Sequence, residues 1–334
     1  MAASALFRKN QNKAGLALQE DALRFIELEG GLSRLRVVRK CSVPAGERGI
    51  KKNTIAEAGE LYAPLQTLRS RIGGFKAPVA LSIPSRDILI RVVELPELEL
   101  EDAREALKWD FEKYFPYEYT DAAVDISKVD NPLKGEQGMM SVLVAACRIR
   151  IVESLMRLAN SLGMQIATIE PENVAMFRSV LGPTISFPAG YLAVFAEKGV
   201  NQLVLGYKDN GILYRTSLLE MNGGEDGRQQ DFTALVREIG NTLTFVRNQY
   251  REIAVEQIML GGAFGGETGL KEMIEDATGL KVMAADPWGP WGIPVPPDDV
   301  LGWETAVGLA VRELSGRYLS TSGPALLWRR KKNA

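Results

Sequence analysis

The residues Gln257-Ile258-Met259-Leu260-Gly261-Gly262-Ala263-Phe264-Gly265-Gly266-Glu267-Thr268-Gly269-Leu270 read as a buried strand that runs into five glycines and then a helix. With no Cβ in the way, glycines let a backbone come within contact distance of something flat. Thr268 is placed to cap the helix, whose Leu270, Met273, Ile274 and Ala277 keep helical spacing until Gly279 stops it. Strand, glycine turn and helix build a nucleotide pocket, and they equally build a plain αβ connection. What decides between the two is whether a phosphate site elsewhere in the chain faces this turn.

Reactive side chains are scarce. The chain has no histidine, so the usual general base, proton shuttle and commonest zinc ligand are all missing. Its two cysteines, Cys41 and Cys147, lie far apart and form no CxxC pair, which fits two free thiols in a reducing compartment. No catalytic residue and no metal site is expected. Forty basic and forty-two acidic residues leave a net charge of −2, so nothing in the overall charge recruits nucleic acid. No apolar run nears the roughly 18 residues of a membrane span, and the N-terminus lacks a secretory core, so a cytoplasmic protein is expected.

The 334 residues suffice for about two domains. Segments 14–18, 23–29 and 35–41 read as strands, the first two joined by the turn Gln19-Glu20-Asp21-Ala22, and helix 57–72 follows. Strands 79–84 and 88–95, helix 100–115, strands 122–129 and 140–147, helix 151–162 and strand 164–170 come next. Pro171 is placed in the first turn of a helix that runs to Leu181. A second strand series begins at 191–196, 202–207 and 212–218, with Asp209-Asn210-Gly211 as its hairpin turn. Residues 222–228 read as a flexible linker before a long helix at 231–250. After the glycine turn come a Pro/Trp-rich loop to Pro297, a helix at 303–314 and a basic tail. Two strand-rich units that each continue into helices suggest related α/β lobes facing each other across a cleft.

Several local sequences, in this order and spacing, resemble the actin-like family and, within it, the PilM family of type IV pilus assembly proteins, relatives of the division protein FtsA. They are Val92-Val93-Glu94-Leu95-Pro96 through Trp109-Asp110-Phe111-Glu112-Lys113-Tyr114-Phe115-Pro116-Tyr117, Val142 to Arg148, Ile169-Glu170-Pro171, Glu238 to Phe245, the glycine turn, and Thr305-Ala306-Val307-Gly308-Leu309-Ala310. The resemblance implies an α/β, two-lobed actin-like (ribonuclease H-like) fold. Residues 1–182 would form the first lobe with a small α/β subdomain inserted at about 77–150, and 183–302 the second lobe. Residues 303–317 would be a closing helix returning to the first lobe, and 318–334 a basic tail.

That family's nucleotide site uses two phosphate hairpins, each an Asp-x-Gly turn followed by Ser or Thr, because backbone N–H groups and hydroxyls hold phosphate oxygens while Asp holds Mg²⁺. Here Ala17 stands at the first Asp position, Gln19 at the Gly position, and Glu20 and Asp21 where hydroxyls are needed. Two carboxylates would repel a triphosphate by about 1 kcal/mol per charge pair at ~4 Å even in water. In the second hairpin Phe195 and Glu197 replace the Asp and Gly. Only the adenosine-side turn Gly261-Gly262-Ala263 is retained, as a residual nucleotide contact.

The resemblance therefore implies a pseudo-ATPase with no cofactor, ATP and Mg²⁺ being the alternative. As a non-enzymatic adaptor it would bind the cytoplasmic N-terminal peptide of a PilN-like inner-membrane protein, in a groove beside the inserted subdomain, and meet pilus motor components. It would sit in the cytoplasm, peripheral to the inner membrane. Two further alternatives are an ATP-binding or ATP-hydrolysing actin-like protein, and the cytoplasmic domain of a type II secretion protein of the GspL kind. Trp109, Phe111, Tyr114, Phe115 and Tyr117 are either groove lining or core. Trp288 and Trp291, locked among Pro287, Pro290 and Pro294, are either a contact surface or part of a loop folded back on its lobe. Trp328 with Arg329-Arg330-Lys331-Lys332 is either a membrane-surface contact or a solvated tail.

Overall fold

Among the described residues the first elements form an antiparallel meander, β1 Lys13–Leu18, β2 Ala22–Glu29 and β3 Arg36–Pro44, in a computed structural model that describes residues 13–31, 34–131, 138–183, 187–219, 225–298 and 300–314. Two-residue strands β4 Ile50–Lys51 and β5 Thr54–Ile55 follow, then a 3₁₀ turn at Ala58–Leu61 that leads into α1 Tyr62–Arg71. Next come β6 Val79–Ile83, β7 Ile88–Pro96, α2 Leu100–Tyr114, β8 Ala122–Lys128, β9 Met139–Arg148 and α3 Ile149–Ser161. Strand β10 Ile166–Pro171 then enters α4 Glu172–Leu181. The first sheet has the order β10-β6-β1-β2-β3, with β6 parallel to β1 and β10 parallel to β6.

The second sheet repeats this plan. Strands β11 Phe187–Phe195, β12 Asn201–Lys208 and β13 Asn210–Ser217 form a second meander, followed by α5 Glu225–Gln249, β14 Val255–Gly261, α6 Thr268–Thr278 and β15 Lys281–Ala284. The order is β13-β12-β11-β14-β15, with β14 parallel to β11 and β15 parallel to β14. Strand for strand the two sheets share one connectivity, as the near-duplication in the sequence suggests. Their central strands are covered on both faces, which is why β6 and the end of β11 are buried at every position rather than at alternate ones. Strands β7, β9 and β8 make a separate antiparallel sheet whose core Leu107, Phe111 and Phe115 of the α2 segment complete.

Between the two large sheets lie α4 and α7 Glu304–Ala310, every residue of both buried. They cross so closely at Gly308 that a Cβ there would sit 1.8 Å from the Ala175 carbonyl oxygen, which explains the small residues of the Thr305–Ala310 segment. Beside this crossing, buried Glu170 accepts from Arg178 Nη1 at 2.8 Å and pairs with Arg312, while Arg178 also donates to the Gly308 carbonyl at 2.9 Å. The Ile169-Glu170-Pro171 segment thus ties β10 to α4 and to the end of α7. No helix among the described residues is long and apolar enough to cross a membrane.

Local departures from the expected elements have local causes. Helix α5 starts at Glu225, so the expected linker is helical from that residue on. Pro171 ends β10 and sits at the N-cap of α4, one position before the helix. Thr268 is the first helical residue of α6 and Glu267 the N-cap, with no side-chain cap bond, whereas Gly279 does end the helix with φ +68°. The β12–β13 turn is Lys208-Asp209, because Tyr207 pairs with Asn210, and Lys208 takes the positive φ of 53°. Strand β15 is too short to show an alternating pattern and was not expected.

The Pro/Trp-rich loop is folded back on the core rather than offered as a contact surface. Trp288 and Trp291 are 2% and 1% exposed and pack with Ile26, Trp303 and Val307. Burial of an indole needs a partner for its N–H. Trp291 donates to the Ser179 carbonyl at 2.6 Å and Trp288 to the Val300 carbonyl at 3.2 Å. Trp328 and the basic tail lie outside the described residues.

Candidate functional site

The structure brings the two expected hairpin turns face to face. Gln19, Glu20 and Asp21 of the β1–β2 turn and Glu197 to Val200 of the β11–β12 turn line a cavity of about 30 Å³, with Asn53, Glu172 and Gln202 at its wall. The turns touch: a Cβ on Gly199 would lie 2.7 Å from Glu20 Oε2. Glu20 also accepts from the Asn53 backbone N–H at 3.0 Å. Ala17 and Phe195 do not line the cavity; both are fully buried in apolar clusters.

Carboxylates dominate the cleft, and one guanidinium answers part of them. Arg24 donates to both Asp21 oxygens, at 2.7 and 3.1 Å, and to Gln19 Oε1 at 2.8 Å. Burial pushes the Asp21 carboxyl up, but the Arg24 bonds and charge outweigh it and hold Asp21 below its ordinary value. The other acids shift the opposite way. Glu172 Oε1 accepts from Asn53 Nδ2, from the Ser85 N–H at 2.9 Å and from Gln202 Nε2 at 3.2 Å, yet burial raises its carboxyl to about 7. Burial likewise lifts nearby Asp87, which accepts from the Ile55 N–H at 2.6 Å, to about 6.

Glu197 and Glu304 form the deepest pair. Burial and then the charge of Glu304 push Glu197 well above the usual carboxylate range, and burial raises Glu304 too. Glu197 Oε1 and Glu304 Oε2 are shielded from solvent and have no hydrogen-bond partner in the protein. Burial and like charge both favour the neutral form of these carboxyls.

The glycine turn is spent on the protein itself. Gly262, at φ +84°, donates its N–H to Glu304 Oε1 at 2.7 Å, and a Cβ on it would sit 2.6 Å from the Ala196 carbonyl oxygen. Phe264 N–H donates to that same carbonyl at 3.0 Å, and Ala196 N–H donates to the Gly261 carbonyl at 2.9 Å. The flat partner expected to require these glycines is therefore the backbone at Ala196, just past the neighbouring strand β11. Ala263 is half-buried and outside the cavity lining.

Five residues of this network were not singled out from sequence: Arg24, Asn53, Glu172, Gln202 and Glu304. Glu304 carried a signal, an acid opening the otherwise small and apolar stretch Thr305–Ala310. Arg24 bonds within its own hairpin, to Gln19 and Asp21, while Asn53, Glu172 and Gln202 make bonds to residues distant in the chain, which no local pattern records.

A second concavity lies where the small sheet meets the first large one. Ala123 of β8, Ile149, Val152 and Met156 of α3, and Met164 and Ile166 at the start of β10 give a groove of about 920 Å³ an apolar lining. Glu153, Arg157, Asn160 and Gln165 supply its polar groups. β8 and β10 are each the outer strand of their sheet. The aromatic segment 109–117 lines none of it. Phe111 and Phe115 are core of the small sheet, Tyr114 and Tyr117 pack half-buried against them, and Trp109 stands in solvent.

Comparison with known proteins places this architecture. A family model described as type IV pilus assembly protein PilM matches residues 15–190. Among solved structures, a PilM–PilN type IV pilus biogenesis complex superposes with a TM-score of 0.78 at 19% identity, covering 92% of this chain and 99% of that one. The ethanolamine utilization protein EutJ from Carboxydothermus hydrogenoformans matches with a TM-score of 0.50 at 12% identity over 91% of this chain and 90% of its own. A protein of unknown function with an actin-like ATPase fold from Bacteroides thetaiotaomicron gives 0.49 at 11% identity over 90% and 96%. No curated protein matches the sequence. The fold is the two-lobed actin-like one, and the chain belongs to the family of the type IV pilus assembly protein PilM.

Proposed function

We propose that this chain is a non-enzymatic adaptor of a type IV pilus assembly machine, working at the cytoplasmic face of the inner membrane, and that its groove takes the cytoplasmic N-terminal peptide of a PilN-like membrane protein. The groove carries the reading. A peptide site needs a preformed apolar trough with a few polar groups and strand edges at hand, and no reactive side chain. The trough between β8, α3 and β10 has that composition, and its roughly 920 Å³ suits several residues of extended peptide. The structurally similar PilM occurs in a complex with PilN, which supports the choice of partner. The partner's anchor would hold the adaptor beneath the membrane, and motor components would meet it from the other side.

The cleft supports the pseudo-ATPase half of the reading. Its free volume is about that of one water-sized occupant, far below a nucleotide. Glu20 and Glu197 line the cavity where the resemblance puts phosphate donors, and Glu304 occupies the Gly262 N–H. A magnesium-bound triphosphate does not fit these residues, and no step of the function is routed through one. Calorimetry separates the readings. The N-terminal peptide of the PilN-like protein is expected to bind the wild-type chain, and Met156→Glu is expected to weaken it at least tenfold with an unchanged melting temperature. Mg-ATP is expected to give no heat. Unaltered peptide binding by Met156→Glu refutes the groove assignment, and micromolar ATP affinity that EDTA abolishes refutes the pseudo-ATPase.

A further inference from the structure

An adaptor has to hold a second partner, and the outer face of α2 has the features of a place for it. Trp109 is 91% exposed. Its position on α2 is opposite Ala103, Leu107 and Phe111, the residues that pack the helix onto the small sheet, so the indole contributes nothing to that core. A tryptophan left bare in this way is among the costliest side chains to display and is the residue type most enriched where partners bind.

The charge around it is one-sided. The three basic residues of α2 are already engaged within the chain: Arg104 turns inward to Asp125 at 2.5 Å, Lys108 pairs with Glu105 at 2.5 Å, and Lys113 with Asp110 at 2.6 Å. Glu101, Asp102 and Glu112 have no basic partner among the described residues. Glu101 and Asp102, in the first helical turn, favour the positive end of the helix. Glu112 lies in the last turn, where a negative charge opposes the helix dipole, and it is one turn from Trp109 on the same face. Neither Trp109 nor Glu112 stabilises the helix that carries it.

We propose that the outer face of α2, centred on Trp109 with Asp102 and Glu112, is a docking surface for a basic, lysine- and arginine-rich segment of a second protein. An arginine stacked on the indole face gains from the ring quadrupole, and neighbouring cations find carboxylates with no partner to displace. This rests on the adaptor reading but uses a surface separate from the groove, so the two can fail independently.

The test uses the full chain in its own host, with Trp109 replaced by the photo-crosslinker p-benzoylphenylalanine and the adduct mapped by mass spectrometry. The expected result is a crosslink to another protein at a segment rich in Lys and Arg. The adduct is expected to disappear on adding Asp102→Lys with Glu112→Lys and to persist with Met156→Glu in the groove. With the identified protein purified, Trp109→Ala is expected to weaken binding at least thirtyfold, and affinity to fall as salt rises. Folding does not confound this, because Trp109 is solvent-exposed and the variant's melting temperature should equal the parent's. A crosslink to an acidic or neutral segment, to lipid, to a second copy or to residues 315–334 of this chain overturns the proposal, as does no crosslink at all. An adduct insensitive to the charge reversals overturns it equally.

Discussion

Replacing Glu172 by glutamine isolates the cost of keeping an acid at the centre of the cleft. Glu172 titrates at about 7 in the folded chain against an ordinary 4.5, chiefly through burial. Between those values the folded state binds the proton and the unfolded state does not, so unfolding free energy falls as pH rises through this window. The full loss is about 3 kcal/mol, complete above pH ~7 and absent below pH ~4.5. Glutamine cannot ionise, and its Oε1 can accept the same bonds from Asn53, Ser85 and Gln202 that Glu172 Oε1 accepts. Urea unfolding followed by far-UV circular dichroism, from about pH 5 to pH 8, gives the two curves. They should nearly meet at the acid end and separate as pH rises, with Glu172→Gln more stable by about 2–3 kcal/mol near pH 8. The background slope from Asp87, Glu197 and Glu304 has the same sign, and Glu172→Gln also removes the Glu172 charge that acts on Glu197, so the difference reports Glu172 together with that coupling. Parallel curves, or a glutamine variant that is less stable at pH 8, would refute the argument that the Glu172 proton is held by burial.

Glu170→Ala strands Arg178 and Arg312 beside a fully buried site and should cost about 3–5 kcal/mol in urea unfolding. Trp291→Ala should cost about 3–5 kcal/mol, because the ring is 1% exposed and its N–H holds the Ser179 carbonyl. Trp109→Ala, at 91% exposure, should stay within about 0.5 kcal/mol of the parent by the same measurement. Gly262→Ala should destabilise by about 1–3 kcal/mol, since its φ is +84° and the new Cβ would meet the Ala196 carbonyl. A tolerated Gly262→Ala would mean that the turn is not packed as described, and thermal melting resolves it.

Much of the architecture was legible because it is written in local periods. The meander strands, α2, α3 and the stop at Gly279 follow from short strand-forming runs bounded by turn residues, helical spacing and a glycine at the helix end. The duplicated connectivity follows in turn, since both sheets use the same sequence of short-range elements. The first turn was readable as a turn: Gln19, Glu20 and Asp21 sit together between β1 and β2 and line one cavity. What escaped depends on contacts between distant segments. The prolines around Trp288 and Trp291 imply a stiff loop, but stiffness says nothing about which way a ring points. That direction is set by the Ser179 and Val300 carbonyls and by an apolar slot shared with Trp303.

The glycine turn shows why the boundary falls there. Glycine at 261 and 262 records that something approaches too closely for a side chain, and a nucleotide ring and a neighbouring backbone make the same demand. Only the partner distinguishes them, and the partner is Ala196, just past the neighbouring strand β11 of the same sheet, together with Glu304 from α7. Glu304 and Gly262 bond over 42 positions, and Glu172 and Gln202 over 30. These links join the two lobes with groups of the chain itself.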